Sequence, residues 1–210
     1  AVTNYVLGSA HALVRLDDGE LVGDPMEQAT LKASGWKLSD SKKNIVERDI
    51  RFLTKNNVVD KKDTEKFSND KIKILRRFQF SSALKRSSTI SLISNTGKTL
   101  VSVKGAPETI RGRLIEVPSN YEDVYKSYTR SGSRVLALAY KYLDDRIPVN
   151  SLNRDDVETK LHFAGFIVFH CPMKPDAIET IEMLNNSSHR CIMITGDNPL
   201  TAVHVAKEVK

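Results

Sequence analysis

Lys104 closes a run of strand-forming residues, Thr99 to Val103, and is followed at once by Gly105, Ala106 and Pro107. Leu100, Val101 and Val103 favour a strand. A lysine before Gly-x-Pro punctuation is ordinary at a strand end and turn. An ammonium beside backbone that carries no bulky side chain also suits a phosphate-bearing ligand. A second stretch with chemical capacity is Thr195-Gly196-Asp197. It ends the apolar run "RCIMIT" and opens "GDNPLTAVHVAKEV", which puts a hydroxyl, a bare backbone and a carboxylate at the carboxyl end of an expected strand. Ligands gather at such ends in α/β folds. The same residues also make a plain strand-to-helix turn, with Asp197 or Asn198 as N-cap. Asp24 and Glu27, in "GDPMEQA", read as an N-cap and a capping-box acid around Pro25.

The elements that must position these groups follow from pattern. A helix starts at Asp24 and stops near Gly35. "KIKILRRFQF" alternates with period two, and "STISLIS", "NTGK" and "TLVSVK" form a hairpin signature with Asn95 and Gly97 at the turn. Short turns make these strands antiparallel. "YEDVYKSYTRSG" places Tyr121, Val124, Tyr125 and Tyr128 on one helical face, closed by Gly132. "RVLALAYKYL" and "LHFAGFIVF" are further strands. After Phe169 the grammar becomes helix, buried strand, loop, helix, as in an α/β layer. Residues 39–70 are rich in charge and turn formers and read as a surface insertion, partly mobile.

Composition sets the class. The 210 residues are 40% hydrophobic and 28% charged, an ordinary globular balance. No apolar run approaches the roughly 20 residues of a membrane helix, and no leader-like succession of basic, apolar and small residues opens the chain. Cys171 and Cys191 lack metal-ligand spacing; two thiols fit a reducing compartment and core packing. The net charge of +6 favours a polyanion without choosing one. No nucleic-acid motif accompanies it, so no nucleic-acid partner is expected.

Five pieces occur in order: "GDPMEQA", "FSSALKRSS", "KGAPE", "GSRVLALA" and "MITGDNPLTA". Together they resemble the cytoplasmic nucleotide-binding domain of P-type ATPases, running into the phosphorylation domain. "HALVRLDDGELVGDPME", "FSSALKRSS" and "CPMKPD" are most similar to the fifth class, and within it to the A branch of the endoplasmic reticulum. The resemblance implies an α+β fold: a twisted antiparallel sheet flanked by helices over 1–168, then a partial α/β, haloacid-dehalogenase-like segment over 169–210. It implies ATP and Mg²⁺ as cofactors. Phe80 matches the aromatic that stacks on adenine. Lys85 and Lys104 match the pocket lysines, with Gly105 keeping the floor clear. Arg134 matches an arginine for the β-phosphate side. Glu27 matches an acid near the adenine amine, so its capping and binding roles compete. Thr195, Gly196 and Asp197 match a loop that faces the transferring phosphoryl group and orders the metal's surroundings.

Departures limit what this stretch does alone. It holds no Asp-Lys-Thr-Gly-Thr segment with the phosphate-accepting aspartate and no Gly-Asp-Gly-x-Asn-Asp segment. The expectation is therefore a chain that binds ATP, and whose γ-phosphate passes to an aspartate outside it. The resemblance further implies a parent enzyme with phosphorylation, actuator and membrane domains, on the cytosolic face of the endoplasmic reticulum, moving transmembrane protein segments. An ion-transporting relative and a non-catalytic nucleotide-sensing module are the alternatives. A free-standing phosphatase would need an amino-terminal nucleophilic aspartate that is not there.

Overall fold

The computed structural model of the chain describes residues 2–40, 42–56, 70–144 and 146–209. These divide into two compact units, Ala1–Val117 with Ala137–Gly165, and Pro118–Leu136 with Phe166–Lys210. A single division between residues 168 and 169 was expected. The segments interleave instead, because the helix Tyr121–Arg130 clusters with the carboxy-terminal piece.

The first unit is built on an antiparallel sheet. After a two-stranded ribbon (β1, Val14–Arg15; β2, Leu21–Val22), the strands β3 (Trp36–Leu38), β4 (Ile45–Arg48), β5 (Lys71–Ser81), β6 (Arg86–Ile93), β7 (Thr99–Gly105), β8 (Arg134–Tyr142) and β9 (His162–Phe169) lie side by side in chain order. Pairing is antiparallel from β3 through β8. The β6–β7 hairpin closes as expected: Gly97 takes φ +67° and its N–H meets the Ile93 carbonyl at 2.9 Å, a conformation that favours glycine.

Helix α1 (Val2–Ser9) and helix α2 (Pro25–Ala33) accompany this sheet. Leu13, Leu31, Trp36, Leu38, Val46, Ile72 and Ile74 form one buried cluster there. Its polar edge is satisfied, as burial demands: the Trp36 indole donates to Asn4, and the Arg48 guanidinium lies 3.7 Å from the Trp36 ring centre and pairs with buried Asp70 at 2.9 Å. Part of the expected insertion is thus framework. Ile45–Arg48 is an inner strand, followed by helix α3 (Ile50–Lys55). The expected mobility over 57–69 lies outside the described residues. Short helices α4 (Pro107–Arg111) and α6 (Arg154–Val157) complete the unit.

The second unit holds helix α5 (Tyr121–Arg130), α7 (Ala177–Asn186) and α8 (Pro199–Val209). Tyr121, Tyr125 and Thr129 are the buried face of α5, and the Phe166 ring packs tilted against that of Tyr121, with centres 4.8 Å apart. Tyr128, expected on that face, is exposed. The expected strand over "RCIMIT" is not formed: residues 190–195 have no ladder partner, and Ile194 is 93% exposed. A parallel-type strand is stable only between neighbours that cover both its faces, and none lies beside it among the described residues. Both cysteines are free, as expected, but exposed rather than in the core.

Amide hydrogen exchange on this chain should find residues 190–195 exchanging almost as fast as an unfolded peptide, with Ile90, Val101 and Leu138 several orders of magnitude slower. Uniform protection along the chain would contradict the description of the second unit.

Candidate functional site

The best-equipped surface of the first unit is the end of the β5–β6–β7 strands. Alternation puts Arg77, Ser87, Thr89, Ser102 and Lys104 on one face and Arg86 and Ser88 on the other, since Ser87 pairs with Lys104 and Arg86 with Gly105. The first face is capped by the chain that leaves α1: Thr89 Oγ1 donates to the Ser9 carbonyl, Ser9 and Ser102 share a hydrogen bond at 2.7 Å, and Arg77 Nε donates to the His11 carbonyl.

Phe80 sits on an irregularity. Phe78 pairs with Ser88, but Ser81 pairs with Arg86, so one extra residue is accommodated on β5. Such a bulge re-aims a side chain, and the Phe80 ring is 64% exposed. The far face of the sheet holds this distortion. Glu158 is fully buried; Arg86 Nε donates to its Oε2, while Ser88 Oγ and Arg154 Nε donate to its Oε1 at 2.8 and 2.9 Å. Arg154 also donates to the carbonyls of Gln79 and Arg86, and Arg86 to that of Leu84. Gln79 precedes Phe80 and Leu84 precedes Lys85, so both candidate residues hang from carbonyls that an arginine holds. Lys85 itself takes φ +49°, a region rare for a side-chain-bearing residue. Its ammonium is exposed, 3.8 Å from Glu108.

Glu27 does not cap α2. Asp24 alone caps α2, accepting from Met26 N–H at 2.7 Å. The Glu27 carboxylate accepts from Ala12 N–H at 2.9 Å and from Lys104 Nζ at 2.7 Å. Lys104 is therefore engaged by a carboxylate in a mostly buried pair. Gly105 has a structural reason for lacking a side chain: a Cβ there would stand 2.6 Å from the Lys85 carbonyl and 2.7 Å from Arg86 Cβ. The expected clear floor is really the close approach of two strands. Glu27 and Phe80 line one small open cleft of about 30 Å³, together with His11, Ala12, Arg77 and Ser87. His11 was not anticipated from sequence. Burial, then the charges of Arg77 and Lys104, push its pKa down to about 3, with the Gly8 carbonyl acting weakly the other way.

Arg134 and the Thr195–Asp197 loop belong to the second unit. Arg134 Nη2 donates to Asp197 Oδ2 at 2.6 Å, joining two residues expected to serve separate groups. Thr195 Oγ1 accepts from Asp197 N–H, and Asn198 caps α8 by accepting from Leu200 N–H. A Cβ at Gly196 would meet open space. No cluster of three or more metal-ligating side chains occurs among the described residues.

An exposed aromatic on a braced bulge, an acid beside it and lysines within one residue of the same strands describe a platform for a flat, anionic ligand. The family described as "P-type ATPase, cytoplasmic domain N" matches residues 6–176. The chain belongs to this family. The matched stretch contains Glu27, Phe80, Lys85, Lys104, Gly105 and Arg134, whereas Thr195, Gly196 and Asp197 lie beyond it. This N domain is 57% identical over 209 residues to the endoplasmic reticulum transmembrane helix translocase of Saccharomyces cerevisiae, covering 99% of the chain and 15% of that protein. It is 50% identical over 213 residues to the protein of the same name in Schizosaccharomyces pombe, covering 97% of the chain and 16% of that protein. It is 44% identical over 209 residues to the "Probable manganese-transporting ATPase PDR2" of Arabidopsis thaliana, covering 99% of the chain and 16% of that protein. The N domain thus spans a small fraction of the length of the relatives it matches.

Two measurements check this geometry. Glu158→Ala leaves two arginines without their buried counter-charge and should cost about 3–5 kcal/mol in urea unfolding; a loss under 1 kcal/mol (roughly the value of a surface pair) would remove the brace from the account. His11, with an ordinary pKa of 6.5 unfolded and about 3 folded, contributes stability that is fully present above pH 6.5. That contribution is lost as pH falls toward 3, because the unfolded state binds the proton first. Between pH 6.5 and about 5, above the carboxylate range, the His11→Gln variant should show a flatter stability profile than the wild type.

Proposed function

We propose that the first unit binds ATP, as the nucleotide-carrying domain of a fifth-class, A-branch P-type ATPase. The observation that carries this is Phe80, exposed on a bulge that Arg154 and Arg86 hold open beside Glu27. An aromatic face there accepts the adenine by stacking. The Glu27 carboxylate, already fixed by Ala12 N–H and Lys104, has lone pairs left for the exocyclic amine. Lys104 then acts by orienting Glu27, and the exposed Lys85 ammonium serves the phosphates. Within the second unit, the paired Arg134 and Asp197 are a guanidinium suited to phosphate and a carboxylate suited to the surroundings of Mg²⁺. ATP supplies the γ-phosphoryl group, whose acceptor aspartate lies outside these residues.

The translocase names of the two yeast relatives support a finer proposal. The parent enzyme passes through an aspartyl-phosphate and drives removal of transmembrane protein segments at the endoplasmic reticulum, with this unit on the cytosolic face. Its partners are then the phosphorylation, actuator and membrane domains of the same protein. The Arabidopsis relative's name favours a second reading, transport of a metal ion by the same nucleotide machinery.

Titrating the chain with ATP and following backbone amide shifts tests the first step. Shifts should centre on Glu27, Phe80 and Lys85. Phe80→Ala should weaken binding by about 1–3 kcal/mol, roughly 5- to 150-fold, and Lys104→Ala should weaken it through the released Glu27. A folded wild-type chain with no saturable shifts at millimolar ATP would overturn the proposal.

A further inference from the structure

Three consecutive residues of the turn that joins α5 to β8 are fastened to one helix of the second unit. Gly132 takes φ +80°, and a Cβ on it would stand 2.2 Å from His204 Cδ2, so the imidazole packs where any other side chain would begin. Thr201 Oγ1 donates to the Ser133 carbonyl at 3.1 Å, and both residues are buried. Arg134 Nη2 donates to Asp197 Oδ2 at 2.6 Å. Asp197, Thr201 and His204 follow one another at spacings of four and three, which is one face of α8 and of the chain that enters it. Exposed ion pairs are weak partly because two long side chains must be held in one geometry. Here Gly132 and Thr201 already hold the turn against the helix, so Arg134 and Asp197 meet from fixed backbones. Their side chains are 39% and 34% exposed, open enough for a ligand to reach.

We propose that this contact is autoinhibitory: Asp197 covers Arg134 in the ligand-free chain, and a polyphosphate displaces the carboxylate to reach the guanidinium. This rests on the reading of Arg134 as a phosphate group's partner and adds its regulation. Nη2 belongs to both two-pronged edges of a guanidinium, so an oxyanion that takes either edge comes up against the carboxylate already bonded there. The loop that carries Asp197 is built for release. Residues 190–195 before it have no ladder partner, a Cβ at Gly196 would meet open space, and the Asp197 N–H is held by the neighbouring Thr195 hydroxyl. It can swing away without breaking a strand. The buried pair of Arg86 and Glu158 is the contrast: its side chains are 5% and 0% exposed, and no ligand reaches them. Displacement also frees the Asp197 carboxylate, so both groups become available in one step.

The test measures binding of inorganic tripolyphosphate to the whole chain in metal-free buffer, by calorimetry, for the wild type, Asp197→Asn, Arg134→Gln and the double variant. Backbone amides are followed by NMR in the same titrations. The probe carries no base and so does not depend on Phe80. Asp197→Asn should bind about two- to fivefold more tightly than the wild type, the worth of a partly exposed ion pair that no longer has to be broken. Arg134→Gln should weaken binding, and in that background Asp197→Asn should change nothing, which separates uncovering of the arginine from simple loss of a negative charge. In the wild type, saturation should move the Gly196 and Asp197 amides as the loop lets go. An Asp197→Asn chain that binds no more tightly, or that gains as much without Arg134, overturns the proposal. A wild type whose Gly196 and Asp197 amides stay in place at saturation overturns it even if a variant fails to fold. So does a chain that binds no tripolyphosphate in either the wild type or Asp197→Asn. ATP-induced shifts at Glu27 and Phe80 would then leave the nucleotide reading of the first unit standing, and their absence would remove that reading as well.

Discussion

The buried carboxylate of Glu158 is the constraint on which the candidate site depends. Three donors converge on it, and two are arginines whose remaining N–H groups take backbone carbonyls of the β5–β6 turn. A bulge releases carbonyls from the ladder, and a released buried carbonyl is costly unless something else donates to it. Arg154 and Arg86 supply those donors. The distortion that turns Phe80 outward is therefore stable because of charge chemistry on the opposite face of the sheet. A salt-bridge network of this kind adds little as net stability; here it specifies a conformation.

The two faces divide the labour. On one, Glu27 and His11 line the cleft and accept from the backbone amides of Ala12 and Leu13, and Lys104 pairs with Glu27. On the other, Glu158 and its arginines make a closed set. Lys85 joins the faces at the turn, and its left-handed backbone, together with the tight approach of Gly105, keeps β6 and β7 at the distance that the turn needs.

Much of this was legible in the sequence where the signal is local. The alternation over Lys71–Ser81, the Asn95–Gly97 turn and the Asp24-Pro25 helix start each reflect short-range sterics and hydrogen bonding, and each element forms as read. The resemblance pointed to Glu27, Phe80, Lys85 and Lys104, of which Glu27 and Phe80 line one cleft. What escaped depends on partners far along the chain. Ile45–Arg48 reads as part of a charged insertion, because Arg48 and Glu47 hide a strand whose partners are set by β3 and β5. Glu158 lies in the charge run "RDDVETK" and looks like any solvated acid. His11 looks like a loop residue until the cleft is assembled around it. The converse error occurs at "RCIMIT", where apolar composition announces a strand but the neighbours that would make it one are not beside it.

The brace also has a bearing on the order of events during synthesis. Arg86 and Glu158 are separated by 72 positions in the chain, while β5, β6 and β7 are joined by short turns. On a ribosome, these three strands emerge and can pair well before residue 158 leaves the exit tunnel. During that interval the hairpin exists without its clasp, and the loop closure that fastens it comes late and at an entropic cost. The β5–β7 strands can thus pair early, and the candidate platform is finished only when the last short helix of the unit arrives.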